Sequence, residues 1–165
     1  MKRHLLILAC AMPLVAYAAD TPDKSFYDKA AEGGIAEVND ATLATQSATD
    51  PKVKEFAAMM IKDHTAANNK LAALAASKNL TLPSSASVLE MASHAKLKVL
   101  SGEAFDKSYI KGQIAAHKDT VKLLRKEIAS GEDADAKAFA KSILPTVEGH
   151  LKAINILATA DGVTE

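Results

Sequence analysis

Apolar residues recur at three-four spacing along four stretches of this chain, a period that admits long amphipathic helices and little else. One stripe reads Val53, Phe56/Ala57, Met60, His64, Ala67, Leu71, Leu74. A second reads Ile110, Ile114, His117, Val121, Leu124, Ile128, and a third Ala136, Phe139/Ala140, Ile143, Val147, His150, Ile154, Leu157. The remaining one is built of small residues: Phe26, Ala30, Gly33/Gly34, Glu37, Ala41, Ala44. Abundant Ala, Lys, Leu and Glu agree with helix throughout. The spacing predicts helices over Lys24 to Gln46, Asp50-Pro51 to Lys78, Val88 to Leu100, Glu103 to Ala129 and Ala134 to Ala160. Asp50 is the expected N-cap of the second, with Pro51 in its first turn.

The connections choose among helical folds. The first two long helices, and likewise the last two, are joined by tight turns, whereas Asn79 to Gly102 is far longer than a hairpin needs. A long helix here spans about 40 Å at 1.5 Å per residue. The short helix and extended residues of the connector cover about the same distance. The connector can therefore return along the bundle and start the next helix parallel to the second. That is an all-α, ferritin-like four-helix bundle with one long crossover; an up-and-down bundle with a loose excursion is the alternative.

The first eighteen residues read as a signal peptide, leaving 19–165 as one domain. Met1-Lys2-Arg3 is a basic start, Leu5 to Val15 an apolar run, and Ala16-Tyr17-Ala18 a small-x-small cleavage site. The run is too short for the roughly 20 residues that span a bilayer, so no transmembrane segment is expected in the mature chain. Cys10, the only cysteine, falls inside this leader, where Leu8 suits lipoprotein processing poorly. The mature chain then has no thiol for disulfides, thiolate metal sites or nucleophilic catalysis. Removing Lys2 and Arg3 leaves 18 basic against 20 acidic residues. With no Trp and 4% aromatic residues, nothing supports nucleic-acid binding. The chain is expected to be exported, periplasmic or outer-membrane-associated, with an envelope protein as partner class.

Three of the seams carry a histidine, His64, His117 and His150, each near its helix midpoint, and the fourth carries Glu37. Packed as one bundle, these side chains fall in a single central layer. Buried polar groups are costly unless paired or ligated. Imidazole and carboxylate together are ordinary ligands for Zn²⁺, Fe or Cu. A metal-free Glu–His hydrogen-bond network is the competing explanation. Asp40, one turn from Glu37, could add a carboxylate; Asp63 points about 100° away from His64, toward the helix boundary. Gln113 and Asn68 could orient an imidazole. Gly33-Gly34 implies a close helix approach or a kink. Pro145 implies a bend that would re-aim His150. His94, in the connector, is expected at the surface.

The blocks Glu32-Gly33-Gly34-Ile35-Ala36-Glu37-Val38, Val53-Lys54-Glu55-Phe56-Ala57 running to Asp63-His64, Phe105-Asp106-Lys107-Ser108-Tyr109-Ile110 with His117, and Leu144-Pro145-Thr146-Val147-Glu148-Gly149-His150-Leu151 resemble the bacterial domain of unknown function 4142. Its members carry the label "predicted outer membrane protein" and are classed as ferritin-like. The resemblance implies an exported four-helix bundle and supplies no activity. Diiron chemistry on such bundles needs Glu-x-x-His on two helices. That motif is missing: Glu148 stands two residues before His150, and Glu90 four before His94. No Gly-x-Ser-x-Gly, Walker or Gly-x-Gly-x-x-Gly motif occurs either. The expected function is thus a binding module of the envelope or of a stress response, with Glu37, His64, His117 and His150 as candidate metal ligands; a metal-free structural or protein-interaction bundle is the alternative, and a redox enzyme a minor one.

Overall fold

The computed structural model describes residues 23–163; the stretch expected to be a signal peptide, with Cys10, lies outside them. Five helices follow one another, α1 (Lys24–Ser47), α2 (Pro51–Ser77), α3 (Val88–Lys98), α4 (Gly102–Ser130) and α5 (Ala134–Ala160). The expected ends hold to within two residues. Local chemistry accounts for most of them. The Asp50 carboxylate accepts from the Lys52 amide at 2.7 Å, ahead of Pro51. Ser87 and Glu90 form a reciprocal capping box at the start of α3. Asp133 caps α5. Gly102 opens α4 at φ +59°, a left-handed backbone that a residue with a Cβ adopts only under strain.

Contacts between helix ends settle the connectivity. The Asp106 carboxylate, near the start of α4, accepts from the backbone amides of Thr49 and Asp50, at 3.0 and 2.9 Å, just before α2. The two helices therefore start side by side and run parallel. At the opposite end, Lys78 pairs with Asp133 at 3.0 Å. There Asp23 accepts from the amides of Glu132 and Asp133, both at 2.7 Å. α1 packs against α2 and α4, and α5 against the same two. This is the one-crossover, ferritin-like bundle, in which neighbouring long helices are antiparallel.

The crossover covers one side of the bundle. α3 lies against α1 and α4, with Glu90 over Gly33 and His94 Nδ1 donating to Asp40 at 2.6 Å. His94 is therefore half-buried and paired, not a free surface residue. Gly34 serves close approach: a Cβ there would run into the Asn68 amide of α2. α5 passes through Pro145 without interruption. The proline is exposed, so the hydrogen bond it removes lies on the solvent side, and His150 still faces inward. Among the described residues no helix is long and apolar enough to cross a membrane.

The apolar core is in two pieces. One gathers Val53, Phe56, Met60, Phe105, Tyr109, Ile110 and Ile154 toward the start of α2. The other gathers Phe26, Tyr27, Leu71, Val121, Leu124 and Val147 toward its end. Between them lie Glu37, His64, Gln113, His117 and His150, all buried.

Candidate metal centre

The three imidazoles come from three helices. His64 is on α2 one turn past Met60, His117 on α4 one turn past Gln113, and His150 on α5 one turn before Ile154. Each occupies a core position of its stripe, with relative exposures of 7%, 1% and 4%. Their ring centroids form a nearly equilateral triangle, with sides of 5.7, 5.5 and 5.6 Å. One ligand nitrogen from each lies within 4.8 Å of the other two. Phe56 stands against two of these rings, 6.4 Å from His117 and 6.3 Å from His150. Its ring closes the layer toward the first apolar cluster.

Hydrogen bonds on the far side of two rings fix their tautomers. His117 Nδ1 contacts the Gln113 carbonyl oxygen at 2.8 Å. A carbonyl only accepts, so Nδ1 holds the proton and Nε2 is left with a bare lone pair. His150 Nε2 meets Asp63 Oδ2 at 3.0 Å, so its Nδ1 is the free nitrogen. Those two nitrogens, His117 Nε2 and His150 Nδ1, are buried without a partner, as is His64 Nε2. Burial, and then the neighbouring imidazoles, push His64 down to about 3. Burial also takes His117 down to about 4, against the pull of the Gln113 carbonyl. At neutral pH both are uncharged bases. Uncharged buried nitrogens without partners leave their lone pairs unsatisfied, which is the arrangement a cation would complete.

Glu37 shares the layer without joining the trio. Its Oε1 is 3.6 Å from His117 Nδ1, too far for a hydrogen bond and on the ring nitrogen already held by the Gln113 carbonyl. Burial raises its carboxyl to about 8, with the Gln113 side chain opposing the rise. Asp40, the other carboxylate considered near it, is engaged by His94 on the connector. Asn68 packs on Gly34 and orients no imidazole. Asp63, read from the helical wheel as a boundary residue, is the partner of His150. That bond crosses from α2 to α5, and one helix's wheel carries no sign of it. Gln113 does orient His117, but through its main chain.

Comparison with known proteins gives the family. A model of the domain of unknown function DUF4142 matches residues 10–157. The chain belongs to that family. No curated protein matches the sequence. Among solved structures, this DUF4142 chain is similar to a DUF305 protein of Streptomyces coelicolor, with TM-score 0.76 and 15% identity over 89% of this chain and 97% of that one. A DUF305 fragment from Deinococcus radiodurans gives TM-score 0.74 and 12% identity, covering 84% and 95% of the two chains. CopM in its Cu(I)-bound form gives 0.70 and 18%, covering 84% and 96%. At such identities the likeness establishes a shared helical-bundle fold.

Proposed function

We propose that this DUF4142 chain is an exported module that binds a single transition-metal ion, Cu(I) foremost, between His64, His117 and His150. One observation carries the reading: three buried imidazoles each bring a ligand nitrogen within 4.8 Å of the other two, and each ring has a buried nitrogen without a partner. The donor set bears on the metal. Imidazole suits Zn, Cu, Fe and Ni alike, but the trio contains no anionic ligand, and burying a charge grows costlier with its size. A monovalent ion on three neutral nitrogens avoids a double charge among buried side chains. A Cu(I)-bound CopM structure of similar fold and the leader-like start of the chain support the same reading. Glu37 is removed from the ligands and becomes a neighbour of His117.

The test is anaerobic titration of the purified chain with Cu(I) against a colorimetric chelator, followed by elemental analysis. One equivalent should be retained, and His117→Leu should lose it while keeping its helical circular dichroism. Retention of Zn²⁺ or Fe²⁺ in place of Cu(I) would keep the site and overturn the choice of metal. A chain that retains no ion, and whose melting ignores all three, would overturn the reading. The far-side bonds of His117 and His150 also favour a second reading, a metal-free polar network, in which His117→Leu stabilises the bundle.

A further inference from the structure

The three ligands differ in how they are held. His117 is tied to the Gln113 carbonyl and His150 to Asp63. His64 makes no hydrogen bond to any described residue, and its Nε2 has no partner. It is also the one of the three with the highest relative exposure. On the side of the bundle away from α3, a depression of about 160 Å³ opens between α2 and α5. Its floor includes His64 and His150, and its rim Asp63, Lys70, Ser142 and Thr146. The larger groove on the opposite side, about 590 Å³ between α1, α3 and α4, reaches Glu37 and Gln113 but none of the three imidazoles.

We infer that the depression between α2 and α5 is the port through which a metal ion enters and leaves, and that Asp63 and the untethered His64 carry it across the mouth. The inference rests on the metal-binding reading. Asp63 spans both environments: its side chain is 30% exposed, yet its Oδ2 holds His150. A carboxylate at the rim attracts a cation from solution, and the adjacent residue in sequence is a ligand. His64, with no bond to break, can turn to meet the ion and carry it onto the two fixed nitrogens. Ligand exchange with an incoming donor is open on this face, where two of the three imidazoles line the depression; a smaller pocket of about 50 Å³ on the α1 side touches His64 alone.

Transfer of Cu(I) to and from a colorimetric chelator, followed in time, tests this port. Thr146→Trp fills the rim from an exposed position that is not one of the three ligands. It should slow loading and unloading together, by about tenfold or more, with Kd unchanged, because a blocked path alters the barrier and not the end states. Ala115→Trp, an equally bulky change on the α1–α4 groove, should leave both rates at the wild-type value. Normal Kd with wild-type rates in Thr146→Trp overturns the port alone, as does slowing by Ala115→Trp. A wild-type chain that takes up no Cu(I) overturns the port together with the reading beneath it.

Discussion

A buried polar side chain in this molecule is described well by what lies behind it. His117 and His150 have their outer nitrogens occupied, and so present lone pairs inward. Glu127, on α4, has another carboxylate, Asp23, for its neighbour. Its carboxyl is buried, one oxygen lacks a partner, and burial together with Asp23 raises its pKa from 4.5 to about 7. A raised folded-state pKa means that stability is full below about pH 4.5 and falls as pH climbs through 7. Glu127→Gln should therefore gain about 1–2 kcal/mol in urea unfolding at pH 8 and nothing at pH 4. An equal gain at both pH values would show that charge is not the cause. Stripe spacing placed His64, His117 and His150 on core faces, because a three-four period is a property of one helix. It could not separate Glu37 from Asp63. Which carboxylate meets an imidazole depends on side-chain reach across to another helix. Asp106, Gln113 and Glu127 lie on the same stripe as His117, so that period does mark them, provided polar residues are admitted to it.

At the scale of elements, the bundle depends on borrowed caps. α2 has its own N-cap in Asp50, but the turn before it is held by Asp106 of α4. That carboxylate takes both backbone amides and, at 2.5 Å, the Thr49 hydroxyl. Only 5% exposed, it joins two helices that are not adjacent in sequence. Asp106→Ala should cost about 2 kcal/mol, seen as a lower urea midpoint at constant slope, and Asp106→Asn should recover part of it. No loss in Asp106→Ala would mean that water replaces the carboxylate without cost. The start of α4 carries a second constraint. Nothing lies within 4 Å of a Cβ built on Gly102, so Gly102→Ala should cost about 1 kcal/mol through the positive φ alone; an unchanged midpoint would deny that the strain matters.

For the whole molecule, topology was legible because it follows from lengths. Two short turns and one long connector leave few ways to pack four helices, and the end contacts of Asp106 and Lys78 select the crossover form. The partners within the polar layer were not legible, since packing four helices sets them. A ligand that binds only the folded state stabilises it as a unit. Cu(I) at a hundredfold excess over its Kd should add about 2.7 kcal/mol, raising Tm by roughly 5–10 °C. His117→Leu should show no such rise; an equal rise in that variant would place the ion elsewhere on the chain. Because the chain must travel back along its own length between α2 and α4, it had to lie on some flank, and it lies over α1 and α4. That routing gives the cylinder a front and a back. A surface or another protein meeting it from the front faces two imidazoles through a shallow opening, and from the back it meets α3 beside a groove that ends on Glu37 and Gln113, so the two faces offer a visitor different chemistry.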